Sequence, residues 1–316
     1  MELLSLPFFA EIADAETILL AGAGGGYDVF AGLPLYFGLR EAGKTVYLAN
    51  LSFSTLYAST GKHIGPSVVK VTAKTDGGGR YFPELHLARW FASRGEEVPI
   101  FCIDRTGVKP TVDAYRFLAE RLKPDAVILV DGGTDSLMHG DEAGLGTPQE
   151  DIASIAAVDS LEGVKKLLVC IGFGIDTFHG VCHAQFLEAV SGIIQENGFL
   201  GAWSLTREMP EVDLYKEATE YVHRLMFNQP SIVSSSILAA VEGHFGDHHA
   251  TYRTEGSPLF INPLMSLYWC FRLEAVARRN LYLDRVRDTE TYQDLTVAIN
   301  TYRALNKSKG WVDLPM

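Results

Sequence analysis

Short apolar runs ending in Gly or Asp alternate with longer amphipathic stretches along most of this chain. That alternation builds βα units, and therefore a parallel sheet with helices on both faces, rather than a sandwich or a bundle. The runs Thr17 to Leu20, Thr45 to Ala49, Val98 to Ile103, Ala126 to Val130, Leu167 to Ile171 and Phe199 to Trp203 read as strands. Several are apolar without interruption, as strands covered on both faces must be. Helical spacing occupies Asp28 to Ala42, Pro83 to Arg94, Thr111 to Leu122, Pro148 to Val158 and Cys182 to Glu196. Before Pro148, Thr147 takes the N-cap place, and Glu150 and Asp151 suit the positive end of that helix.

Beyond about residue 205 the pattern turns helical, over Met209 to Phe227, Ser231 to Val241 and, after Asn262 as cap, Pro263 to Asn280. No low-complexity run or long polar tract interrupts the chain. The expectation is a single Rossmann-like, doubly wound α/β domain over 1–316 with a mostly parallel sheet. Its mostly helical C-terminal elaboration, 205–316, forms a second layer or a lid. Within it, PLMSLYWCFRL (263–273) suits core packing better than a dimer face, which leaves a homo-oligomer open.

The balance of 27 Lys+Arg against 39 Asp+Glu, a net charge of −12, argues against a general binder of nucleic acid or anionic membrane. Hydrophobic content of 47% is too high for a disordered chain. No run reaches the roughly 18 apolar residues that a membrane helix needs. Cys102, Cys170, Cys182 and Cys270 lie far apart with no CxxC pair, and MELLSLPFFAEIADAE lacks a basic leader pattern. A cytoplasmic protein with free thiols is expected.

In an open parallel sheet, ligands bind beyond the carboxyl ends of the strands. Here those ends are polar: Gly22 to Asp28, Asn50 to Ser52, Asp104 to Thr106, Asp131 to Ser136, and Gly172 to His179. Turn and cap chemistry explains any one of them, but five on one edge point to a site for a small-molecule substrate. Gly24, Gly25 and Gly26 would let a backbone approach an anionic group. Tyr27, however, stands where GxGxxG requires its third glycine, and Asn50 where a ribose-binding acid is expected, which disfavours NAD. Gly38 to Thr45 satisfies GxxxxGK[ST] but closes a helix instead of following a strand, so it is no phosphate loop.

The stretch from Asp131 to Asp151 is the strongest signal, because it crowds Asp131, Asp135, His139, Asp141 and Glu142 into a Gly-rich loop. Crowded carboxylates repel unless a cation, a shared proton or a hydroxyl-rich ligand offsets them; a solvated acidic loop is the bland alternative. Asp131 and Asp135 are the candidates for acid/base or metal work, and Asp141 with Glu142 for holding Mg²⁺ or a similar divalent cation. His179, oriented by Asp176, would move protons. Asp28 and Asn50 would contact ligand hydroxyls, with Asp104, Gly132, Gly133, Thr134 and His139 completing the binding surface. His179 and His183 share a face at metal-ligand spacing if both are helical, and His244, Asp247, His248 and His249 form a second possible donor group. Cys182 reads as a packed thiol, and no GxSxG elbow is present.

GGGYD ending at Asp28, VDGGTDSLMHGDE ending at Glu142 and GLGTPQED ending at Asp151 together resemble an uncharacterised microbial family known only as a domain of unknown function. The resemblance runs along most of the chain and implies a Rossmann-like fold, with no activity attached. GAGGGYDVFAGLPLYFGLR is also similar to the NAD-binding GAG…GIPDFR loop of sirtuins. Leu35 and Phe37 stand where that loop has Asp and Arg, and there is no zinc ribbon. The residues favour an enzyme acting on a small polar, nucleotide-like or sugar-containing metabolite by hydrolysis or lyase-type cleavage rather than by redox chemistry. The alternative is a non-catalytic nucleotide or NAD sensor that signals through its C-terminal helices.

Overall fold

In the computed structural model, which describes residues 6–314, the apolar runs pair as their rhythm requires. In chain order the first elements are α1 (Pro7–Glu11), β1 (Thr17–Gly22), α2 (Asp28–Ala31), α3 (Leu33–Glu41), β2 (Thr45–Ser52), β3 (Lys62–Gly65), β4 (Val68–Val71), α4 (Pro83–Ser93), β5 (Ile100–Asp104) and α5 (Val108–Leu122). There follow β6 (Ala126–Asp131), α6 (Pro148–Asp159), β7 (Lys165–Cys170), α7 (His183–Gln195), β8 (Phe199–Ser204), α8 (Pro210–Leu225), α9 (Ile232–Val241), β9 (Leu267–Arg272), α10 (Leu273–Arg279), α11 (Leu283–Val286) and α12 (Tyr292–Leu305).

The strands form one nine-stranded sheet in the order β3-β4-β5-β2-β1-β6-β7-β9-β8. The central run β5-β2-β1-β6-β7 is parallel throughout, with antiparallel pairs at both flanks. Side chains alternate between two cores, as a strand buried on both faces demands. Ile18 and Leu20 of β1 join one core with α2, α3, α4 and α8, while Leu19 and Ala21 join the other with α5, α6 and α7. The fold is Rossmann-like α/β. No helix among the described residues is long and apolar enough to cross a membrane.

Three elements differ from the sequence reading. The helix expected from Asp28 to Ala42 breaks at Gly32, where an added Cβ would lie 3.1 Å from Leu20 and 3.3 Å from Val130, so the short α2 can sit directly on the sheet. The hairpin β3–β4 extends the sheet beyond β5, from a segment with little apolar signal. Pro263 to Asn280 is not one helix: Pro263–Ser266 is a 3₁₀ turn, β9 follows, and only Leu273–Arg279 is α-helical. β9 lies antiparallel between β7 and β8, sending Tyr268 and Cys270 to one core and Phe271 to the other. Its aromatic residues favour a pleated, half-buried surface, and two partner strands settle the matter. PLMSLYWCFRL is therefore largely core.

The rest of the C-terminal elaboration covers both faces, with α8 against α3 and α4 and with α10, α11 and α12 against α6. The four cysteines are buried and free, and the Cys182 thiol donates to the carbonyl of Val312 at 2.9 Å.

Candidate functional site

β1 and β6 are neighbours, yet the chain leaves them toward opposite faces, into α2 and into α6. Their carboxyl ends therefore open a crevice, the switch point at which sheets of this kind bind ligands. Asp28 opens α2, Asp131 closes β6, and Asp151 sits in the first turn of α6. One carboxylate oxygen from each lies within 4.8 Å of the other two. Asp135, in the 3₁₀ turn after β6, and Asp176, in the turn Ile175–His179 after β7, complete an acidic cluster. Asp131, Asp135, Asp151 and Asp176 are only 3%, 6%, 2% and 7% exposed.

Glycines allow this crowding because the backbone presses directly on the carboxylates. A Cβ at Gly24 would lie 2.8 Å from both Asp151 Oδ1 and Asp28 Oδ2, and one at Gly132 2.9 Å from Asp28 Oδ1. At Gly133 it would lie 2.8 Å from Asp176 Oδ2 and 3.1 Å from Asp131 Oδ1. Amides and hydroxyls satisfy part of the charge. Asp28 accepts from the Gly24 amide at 2.6 Å, and Asp131 from the Ser136 amide at 3.2 Å. Asp135 accepts from the Thr147 amide at 2.7 Å and hydroxyl at 3.1 Å, so that hydroxyl serves Asp135 instead of capping α6. Asp176 accepts from the Thr134 amide at 2.6 Å and hydroxyl at 3.3 Å. Asp151 differs: both of its oxygens are buried without a partner.

None of the five aspartates forms an ion pair with Lys or Arg among the described residues. Burial, followed by the charge of Asp135, pushes the Asp131, Asp151 and Asp176 carboxyls well above the usual range. Burial raises Asp28 to about 8 against the opposing Gly24 amide, and burial also raises Asp135 against its bonds from Thr147. Each ionised carboxylate makes its neighbours harder to ionise. Such a cluster can hold shared protons or bind a hard divalent cation through carboxylate oxygens.

A cavity of about 620 Å³ adjoins the cluster, and Asp176, His179, His183, Val233, His249 and Arg253 are among its lining. Val233 also packs over Gly132, where an added Cβ would lie 3.4 Å from it, so cavity and cluster share a wall.

Other sequence candidates take different parts from those expected of them. Asp141 and Glu142, expected to hold a cation, do not join Asp28, Asp131 and Asp151. Glu142 accepts from the amides of His139 at 2.7 Å and Gly140 at 2.8 Å, while Asp141 pairs with His139 Nδ1 at 3.2 Å and Lys309 at 3.3 Å. Glu142 and His139 tie the loop to itself, and Asp141 ties it to Lys309 of the C-terminal segment. Asn50 donates to the Gly26 carbonyl at 2.9 Å and to Glu84 at 2.8 Å, stiffening the glycine run. The Gly24 amide is taken by Asp28 and the Gly26 amide donates to the Leu51 carbonyl at 3.2 Å, so Gly24, Gly25 and Gly26 form no open anion cradle. Asp104 lies two strands from β1, half-buried, with burial raising its carboxyl and the charge of His63 opposing.

His179 stays beside the cluster, where its charge bears on Asp135, but it makes no hydrogen bond to Asp176 among the described residues. Gly180, at φ +86°, separates it from His183 at the start of α7, so the two do not share a helical face. The His244 and His248 rings stack face to face at 3.8 Å and converge on no common donor point.

Sequence reasoning missed Asp151 as a cluster member, because an acid in the first turn of a helix reads equally well as a partner for the helix dipole. It also missed Arg253, which carries no pattern. One contact can be tested directly. A Cβ at Gly144 would lie 2.3 Å from the Gly180 carbonyl oxygen, where the acidic loop presses on the turn carrying Asp176. Gly144→Ala is expected to cost roughly 1–3 kcal/mol, read as a lower urea midpoint with unchanged slope.

A family model described as "Protein of unknown function (DUF1152)" matches residues 59–306. That span includes Asp131, Asp135, Asp151 and Asp176 and leaves out Gly24 to Gly26, Asp28 and Asn50. No curated protein and no solved structure was found to match the chain. With the match running from β3 through α12, well over half of its length, the chain belongs to the DUF1152 family of proteins of unknown function.

Proposed function

We propose that the protein is a divalent-cation-dependent enzyme that cleaves a small polar, nucleotide-like or sugar-containing metabolite by hydrolysis or a lyase-type step. The observation that carries this reading is Asp151, a buried carboxylate with neither oxygen partnered, facing Asp28 and Asp131 at ligand spacing. An ionised carboxylate cannot remain buried and unpaired without large cost, and a hard cation with oxygen ligands removes that cost.

In this reading Asp28, Asp131 and Asp151 would hold Mg²⁺ or Mn²⁺, which would supply the Lewis acidity that makes water a better nucleophile. For hydrolysis, the water oxygen bonds to the electrophilic centre as the bond to the leaving group breaks. Asp135, a carboxylate of the cluster that does not hold the cation, would accept the water's proton, and Asp176 on the cavity wall would protonate the departing oxygen. His179, at the rim, exchanges protons with solvent.

A panel of nucleotides and sugar phosphates incubated with Mg²⁺ or Mn²⁺, and in parallel with EDTA, tests the reading. Turnover is expected only with the cation, and Asp131→Asn should lower it by about 100-fold or more. Turnover that persists in EDTA, or an Asp131→Asn protein as active as wild type at saturating substrate, would sink the assignment.

A further inference from the structure

We infer that the cavity beside the aspartates takes a phosphoryl group of the substrate and that Arg253 is its protein ligand, a proposal resting on the cation reading above. Arg253 is the only lysine or arginine among the residues that line this cavity. The other ionisable groups lining the cavity are Asp176 and Asp247 and the imidazoles of His179, His183 and His249, and the Arg253 charge also bears on Tyr27, Tyr81 and His223. Its Nη1 donates to the Pro230 carbonyl at 2.8 Å, which anchors the guanidinium at the cavity edge and leaves further N–H donors unused. Among the described residues Arg253 is in no ion pair, so no carboxylate of the protein neutralises it.

Arg253 belongs to the connection between α9 and β9, which is far longer than a minimal link and holds two 3₁₀ turns. The connection is tied back on itself by the pairing of Gly246 with Ile261. Beside Arg253, His249 is held between the Thr254 hydroxyl at 3.0 Å and Asp247 at 3.2 Å, so its ring is fixed as well. Ile175, Val233 and Leu259 give the same cavity apolar walls that limit water around a bound group.

The chemistry selects a phosphoryl group. An anion beside buried aspartates is repelled unless a cation bridges it to them, and Mg²⁺ is commonly held by one or two carboxylates together with substrate phosphate oxygens. A phosphoryl group has enough oxygens to meet the cation on one side and a guanidinium on the other, and the planar guanidinium fork matches it. The cavity is lined by both Asp176 of the acidic cluster and Arg253, so it brings the two kinds of group to one space.

Isothermal titration with inorganic pyrophosphate in the presence of Mg²⁺, alongside Mn²⁺ titration followed by electron paramagnetic resonance, tests the proposal. Wild type should bind both probes. Arg253→Ala should bind pyrophosphate at least about 10-fold more weakly with unchanged Mn²⁺ affinity, and Arg253→Lys should recover part of the loss. Equal pyrophosphate affinity in wild type and Arg253→Ala, or no pyrophosphate binding by a protein that does bind Mn²⁺, overturns the proposal and leaves the cation reading standing. Absence of Mn²⁺ binding brings down both. Malonate bound as tightly as pyrophosphate, with the same dependence on Arg253, replaces the phosphoryl assignment by a carboxylate one.

Discussion

Asp151→Asn is expected to stabilise the cation-free protein while weakening its Mn²⁺ binding by about 100-fold or more. The two effects share one cause. Asp151 is buried beside Asp28, Asp131 and Asp135 with both oxygens unpartnered, so its ionised form is costly until a cation arrives. Removing the charge relieves a repulsion on the order of 1–2 kcal/mol, which raises the thermal midpoint by a few degrees. It also removes an oxygen that the proposed cation would use.

The pH dependence follows with a definite sign. Asp28 is raised to about 8, and Asp131, Asp151 and Asp176 are raised well above their ordinary values. Between the unfolded value near 3.9 and these folded values, the native state binds more protons than the unfolded chain. Stability contributed by these groups is therefore present at low pH and is lost as pH rises through the folded values. Cation-free wild type should melt lower at about pH 8 than at about pH 6, and Mg²⁺ should raise the midpoint more at the higher pH, where it replaces protons. Calorimetry of both proteins at both pH values, with and without Mg²⁺, decides the matter. A wild-type midpoint independent of pH, or an Asp151→Asn protein less stable without cation, would show that the carboxylates are neutralised in another way.

The second large effect is expected at Asp176. It is the one member of the cluster that also lines the cavity, and the Thr134 amide and hydroxyl both bind its Oδ2. Under the proposed function, Oδ1 is the oxygen that would carry a proton toward a departing group. Asp176→Asn removes that proton and preserves shape. Turnover of whichever phosphate ester wild type accepts should fall by about 10²–10⁴-fold in kcat, with KM and Mn²⁺ affinity little changed. A kcat within about 3-fold of wild type would remove Asp176 from the proton path. A parallel loss of Mn²⁺ binding would make it a cation ligand instead.

The alternation of apolar runs with amphipathic stretches was enough to establish the βα architecture, since a strand buried on both faces must be continuously apolar and a covering helix must be amphipathic. Polar carboxyl ends also marked the edge at which the aspartates cluster, because a buried strand that stops at Asp131, or a glycine run that stops at Asp28, announces itself locally. β9 was not legible: an apolar run that packs against both cores has no decisive period, and only β7 and β8 on either side make it a strand.

The same limit applies to the site. Asp141 and Glu142 lie closer in sequence to Asp131 than Asp151 does, yet the loop turns them toward Lys309 and its own amides, while the first turn of α6 returns Asp151 to Asp28. Arg253 reaches the cavity from a connection with no periodic signal at all. Composition and periodicity by themselves determined the kind of fold and the edge on which its acidic residues gather, because both follow from local burial. Which acids meet was decided only by the tertiary structure, because distances between side chains on different loops depend on the β1–β6 adjacency and on the opposite departures of α2 and α6.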